Sequence, residues 1–155
     1  MNLSAHFTLE EITRSETAVR LGIDNSLPPE MLETWRAGCD TLEAIRTIVN
    51  APITISSGYR CPELNKRIAG SSVTSQHTGK WRGLYCCAFD IQSPAGNDKL
   101  FHAVRLSNLD FDQLIWEYGN DTAPAWVHIG LVFERKMRNQ LLRKRAGTKR
   151  YEEFA

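Results

Sequence analysis

No apolar run in the sequence approaches the roughly 20 residues that a membrane-spanning helix requires. The opening stretch, MNLSAHFTLEE, has neither a basic start nor an apolar signal core, so synthesis in the cytoplasm without membrane insertion is expected. Internal repeats and low-complexity stretches are missing too, which excludes repeat architectures and leaves one domain spanning residues 1–155 as the expectation. Cysteine is sparse: Cys39, Cys61, Cys86 and Cys87 show neither the density of a disulfide framework nor the CxxC spacing of structural zinc. They read as free thiols, and the adjacent pair in YCCAFDI reads as buried strand residues.

A large charge of one sign is absent as well, since the formal net charge is only +1. The balance hides an asymmetry. Residues 1–133 hold 15 acidic and 11 basic side chains, whereas residues 134–155 hold 3 acidic and 8 basic ones. That segment is expected to be a basic C-terminal tail whose charges are solvated. Between Arg135 and Arg150 it carries no aromatic residue and no recognised motif, so no nucleic-acid partner is expected.

What the sequence does contain is a clear alternation of element types. Thr8 followed by Glu11 forms a capping-box pattern that predicts a short helix running toward Thr13. Leu32, Trp35, Cys39, Leu42, Ile45 and Val49 recur at three- and four-residue spacing, which predicts one long amphipathic helix ending near Asn50. ITISS and YCCAFDIQ read as strands, and GYRCPELNKRIAG as a turn and a short helix with Pro62 in its first turn and a stop at Gly70. Residues 97–107 look helical, and FDQLIWEYG with WVHIGLV reads as a hairpin with a long loop. The sum is an α+β fold, a small and mainly antiparallel sheet flanked by helices.

Chemistry concentrates on a few polar residues in apolar surroundings. Asp90 lies in CAFDI, and a carboxylate inside such a strand needs a cation or several donors as partner, unless it ends the strand and caps a turn. His128 lies in WVHIG, where strand alternation sets it on the face opposite Val127 and Ile129; it suits either a ligand or a satisfied core histidine. His77 follows Ser75 and Gln76 in a polar segment. His6 and His102 have no partner at metal-ligand spacing and read as ordinary structural residues.

SGYRCPELN, SQH, AFDI and WVHIG, in this order, resemble the zinc D-alanyl-D-alanine carboxypeptidases and related peptidoglycan endopeptidases, of Hedgehog/DD-peptidase fold, and most of all their short bacteriophage members. With FTLEEITRSETAVRLGID and FDQLIWEYG, the resemblance covers roughly residues 7 to 143. It implies that His77, Asp90 and His128 bind zinc, that Arg60 pairs with the substrate's terminal carboxylate, and that Ser75 and Gln76 shape the pocket or contact substrate. It further implies a hydrolase that acts on peptidoglycan peptides at or near D-alanine, in wall remodelling or as a phage endolysin on the host wall; the sequence leaves the number of subunits open, with a monomer favoured.

Two departures stand out. Some relatives carry a glutamate three residues before the last histidine, where this chain has Ala125; Glu117 is the candidate general base instead, with Asp112 second. Relatives usually follow a pattern like HxxGxAxD, but here Asp90 comes thirteen residues after His77, because GKWRGLYC lengthens the interval. The extra segment is tolerable if it loops out before the strand begins and would otherwise compromise zinc binding; Trp81, Arg82 and Tyr85 in it suit either a lip facing substrate or an exposed excursion without function. These departures motivate the competing expectation, a catalytically inactive cell-wall-binding module that keeps the peptidase fold.

Overall fold

A computed structural model describes residues 1–154. The chain begins with α1 (Leu9–Thr13), whose capping box forms as expected: the Thr8 hydroxyl accepts the Glu11 N–H at 3.2 Å, and the Glu11 carboxylate accepts the Thr8 N–H at 2.8 Å. A second short helix that the sequence reading did not anticipate, α2 (Glu16–Leu21), starts on a Ser15 cap and ends on left-handed Gly22. The long helix α3 (Leu32–Val49) turns Trp35, Cys39, Leu42 and Ile45 inward, all fully buried, and stops at left-handed Asn50.

After β1 (Thr54–Ser57) comes α4 (Pro62–Arg67), with Pro62 at its start, where a missing N–H costs nothing. Its C-cap is Ile68, two residues before the expected Gly70 stop. The interval between His77 and Asp90 then folds into a small hairpin of its own, β2 (Lys80–Trp81) and β3 (Leu84–Tyr85), ahead of β4 (Cys87–Gln92). The lengthened interval is thus accommodated outside the main sheet. Helix α5 (Asn97–Arg105) buries Leu100, Phe101 and Val104, and the expected hairpin appears as β5 (Gln113–Glu117) and β6 (Trp126–Leu131).

The main sheet has the order β1-β4-β6-β5, continued by β7 (Gln140–Lys144) and β8 (Tyr151–Glu153). All its pairings are antiparallel except β5 with β7. The architecture is α+β with a mainly antiparallel sheet, as the sequence led us to expect. The basic segment from residue 134 onward does more than trail in solvent, because β7 and β8 extend the sheet and Arg135, Arg138, Arg143 and Arg145 find partners. Arg143 and Arg145 pair with Asp121 at 3.0 and 3.2 Å, and Lys144 is buried.

Strand alternation divides the sheet into two faces. Phe89, Ile91, Val127, Ile129 and Leu114 belong to the core that α3 and α5 cover. Contact with α3 is close: a Cβ on Gly38 would stand 2.6 Å from Cys87 Sγ and 2.8 Å from the Phe89 ring, so only glycine lets the helix settle this deeply. Cys39, Cys86 and Cys87 are buried, and burial pushes Cys39 and Cys86 up to about 12, which leaves them protonated and inert. The alternate residues, Asp90 on β4, His128 on β6 and Glu117 on β5, face the opposite side.

Candidate metal centre

Asp90 and His128 are directly opposed across β4 and β6. Antiparallel pairing brings facing side chains within reach of each other, so the register alone accounts for two members of the site. His77 arrives from a different direction, in a 3-10 turn (Gln76–Thr78) that Ser75 caps by accepting the His77 N–H at 3.3 Å. Its ring is anchored from behind, where Nδ1 donates to the Gly58 carbonyl at 2.7 Å. That bond sets the tautomer and leaves the Nε2 lone pair pointing at the other two residues.

The donor atoms form a nearly equilateral triangle. Asp90 Oδ1 stands 3.1 Å from His128 Nδ1 and 3.4 Å from His77 Nε2, and the two nitrogens are 3.3 Å apart. Ligands about 2.0–2.1 Å from a zinc ion in a tetrahedron lie about 3.3–3.4 Å from one another, so these spacings suit three corners of such a site. Nitrogen, nitrogen and oxygen are also the donor types that zinc accepts when a fourth position stays open. Among the described residues, His77, Asp90 and His128 form the one cluster with metal-ligating spacing.

Charge states agree with that geometry. Burial lowers the His77 imidazole from its ordinary range and so favours the neutral form that a metal ligand needs. Burial opposes the charge on Asp90, but the adjacent imidazoles outweigh it and keep the carboxyl well below the usual carboxylate range. Arg60 supports the same carboxylate from outside, with Nη2 donating to Asp90 Oδ2 at 3.3 Å while Nε donates to Ser57 Oγ at 3.1 Å. One carboxylate oxygen is therefore engaged by arginine, and the other faces the imidazoles.

The triangle sits in a cleft of about 380 Å³ that Arg60, Ser75, Gln76 and Glu117 also line. The structure thus gathers around one cavity the three expected metal ligands together with Arg60, Ser75, Gln76 and Glu117, whereas Asp112 is not part of its lining. Burial raises Glu117 up to about 7, with Asp90 adding to the rise and His128 opposing it. A carboxyl that titrates there can carry a proton in either direction near neutral pH.

Asp112, the second candidate base, has another task. It is fully buried and accepts from Gln76 Nε2 at 2.7 Å, Arg135 Nη1 at 2.8 Å and Arg138 Nη2 at 2.7 Å. Burial opposes its charge, but these donors hold it far below the carboxylate range, which leaves no free lone pair for proton transfer. Sequence reasoning missed the aromatic wall of the cleft, Tyr118, Trp126 and Tyr151. Trp126 stands opposite Glu117 in the β5–β6 register, and alternation from His128 could have revealed it.

A buried His-Asp-His triangle at the floor of a cleft, on a mainly antiparallel α+β sheet, is the arrangement of a metallohydrolase centre. The family model for Peptidase M15 matches residues 5–130, which include all three donors, and the chain belongs to that family. Neither a curated protein nor a solved structure matches the chain.

Proposed function

We propose that this M15 peptidase is zinc-dependent and hydrolyses peptidoglycan stem or cross-link peptides at or near D-alanine. The single observation that carries the reading is the donor triangle of His77, Asp90 and His128, with spacings suited to tetrahedral zinc, in one cleft with Arg60 and Glu117. His77, Asp90 and His128 would hold the zinc, which when bound would supply Lewis acidity toward a carbonyl and lower the pKa of a water to about 7. Glu117 takes the proton of the attacking water and returns it to the leaving amine, a role that its near-neutral titration supports.

Arg60 aims Asp90, and its remaining N–H groups receive the substrate's carboxylate as a charge-assisted pair. Ser75 fixes the turn that bears His77, and Gln76, held by Asp112, shapes the wall beside it. The basic and aromatic rim suits a protein that works on wall material, as an endolysin or in wall remodelling. The inactive-module alternative loses its main support, since the insertion forms a separate hairpin ahead of β4 and a buried carboxylate, Glu117, lines the cleft despite Ala125.

The test is metal analysis of the purified protein combined with mass analysis of digested peptidoglycan. Stoichiometric zinc and peptide fragments ending or starting at D-alanine are the expected result. A protein that takes up no zinc, or one that binds zinc and leaves every stem peptide whole, would overturn the proposal.

A further inference from the structure

The proposed chemistry leaves unused a group of cations around Trp81, which lines the cleft together with Arg138. Trp81, at the end of β2, has the guanidinium carbons of Arg82, Arg138 and Arg135 at 4.7, 4.8 and 5.0 Å from its ring centroid. Such distances are those of cation–π contacts. Among the described residues, Arg135 and Arg138 form ion pairs with Asp112 alone, and Arg82 forms none. Three guanidiniums against one carboxylate leave two positive charges unmatched around a single indole. Asp112 is fully buried beneath them and serves as their anchor, so a ligand would meet the cations and the aromatic face.

Backbone geometry points the same way. Arg82 and Gly83 connect β2 to β3 with φ of +49° and +81°, the pair of positive values that a type I′ turn requires. Asparagine, aspartate or glycine usually occupies the first of these positions, because a larger side chain is strained in the left-handed region. Here an arginine occupies it and lays its guanidinium over Trp81. Trp81 and Arg138 both line the cleft that holds the donor triangle, whereas Arg82 is exposed and reaches it through its contact with the Trp81 ring. Arg135 and Arg138 lie beyond the stretch that matches the family model, and Trp81 and Arg82 lie in the interval between His77 and Asp90.

We infer that Trp81, Arg82 and Arg138 form a subsite for a carboxylate that the peptide substrate carries away from the scissile bond, with Asp112 and Arg135 positioning them. The inference rests on the peptidase reading for the identity of its ligand as a peptide. Guanidinium groups suit a carboxylate through paired N–H donors, and the indole face packs against the adjoining aliphatic part of the peptide.

Two D-alanine-terminated peptides that differ only in an upstream glutamate or glutamine provide the test. Their affinities are measured by calorimetry on the Glu117→Gln variant, which is expected to leave them intact, and KM and kcat are measured on the unaltered protein. The glutamate peptide is expected to bind about 5- to 10-fold more tightly at low salt, as for a partly exposed charge-assisted pair. This preference should fall to less than about twofold in Arg82→Gln or Trp81→Ala and persist in Trp81→Phe, which keeps an aromatic face for the cations. Arg82→Gln alters an exposed turn residue, so it remains informative if Trp81→Ala fails to fold.

Equal affinities, no binding of either peptide, or a preference that survives Arg82→Gln would each overturn the subsite. Hydrolysis is judged separately. A protein that prefers the glutamate peptide but cleaves neither keeps the subsite and loses the catalytic reading. One that cleaves both with the same KM keeps the catalytic reading and loses the subsite.

Discussion

The two faces of the β4–β6 pair share one backbone and one register but obey different rules. On the core face, Phe89 stands opposite Ile129 and Ile91 opposite Val127, and what matters there is filled volume. On the cleft face, Asp90 stands opposite His128, and what matters is the separation of particular atoms, 3.1 Å between carboxylate and imidazole. Adjacent residues on one strand therefore answer to packing and to chemistry in turn. Damage to one face should cost stability, and damage to the other should cost metal and turnover.

The largest effect is expected from His128→Ala. Removing one of three ligands should abolish stoichiometric zinc and reduce turnover by several orders of magnitude, with far-UV circular dichroism unchanged, because the side chain lies outside the apolar core. Retention of zinc and activity in this variant would break the distinction between the faces. Glu117→Gln separates chemistry from metal binding on the same side of the sheet. It should lower kcat by about 10²- to 10⁴-fold while the zinc content by elemental analysis stays at the level of the unaltered protein.

On the other face, Phe89→Ala should destabilise the fold by about 3–5 kcal/mol in urea denaturation, since it empties the site against which Trp35 and Gly38 pack. Activity per folded molecule should survive that substitution. A finer test uses pH. Burial raises Glu117 from its ordinary 4.5 to about 7, so its contribution to the stability of the metal-free protein is full below about pH 4.5 and is lost as the pH climbs through 7. Thermal melts of the chelator-treated protein should show this decline, and the decline should flatten in Glu117→Gln. The smallest effect is expected from Ile129→Val, next to His128 in sequence: a loss of about 1 kcal/mol in stability, with zinc content and kcat unaltered.

How much of this was legible in the sequence depended on the range of the signal. The capping box at Thr8 and the apolar spacing from Leu32 to Val49 are local, and both helices appear where they were expected. Helix α2 was overlooked, although Ser15 before Glu16 is a capping signal, because six residues are too few to show periodicity. Pro62 marked the start of α4 correctly, but Gly70 misplaced its end, since Ile68 already adopts an extended backbone. The strands β7 and β8 lay hidden in what read as a charged tail. Lys144 and Arg143 carry their charges to Thr148 and Asp121, partners that no local pattern announces.

The same division runs through the site. Asp90 and His128 were conspicuous as polar groups in apolar strands, whereas His77 and Arg60 were singled out by the family resemblance and Glu117 by its place on the neighbouring strand. Whether thirteen residues between His77 and Asp90 would pull the site apart could not be read from the spacing. The answer lay in the β2–β3 hairpin, which absorbs the excess before β4 begins. Asp112 shows the limit most plainly: from the sequence it was a possible base, and only the convergence of Gln76, Arg135 and Arg138 around it makes it a buried anchor. Residue identity and local periodicity determine which groups can do chemistry and which elements carry them. Strand register and the long-range meeting of side chains decide which of those groups share a cavity, because distances of 3 to 4 Å are set by the packed backbone and not by the intervals between residues along the chain.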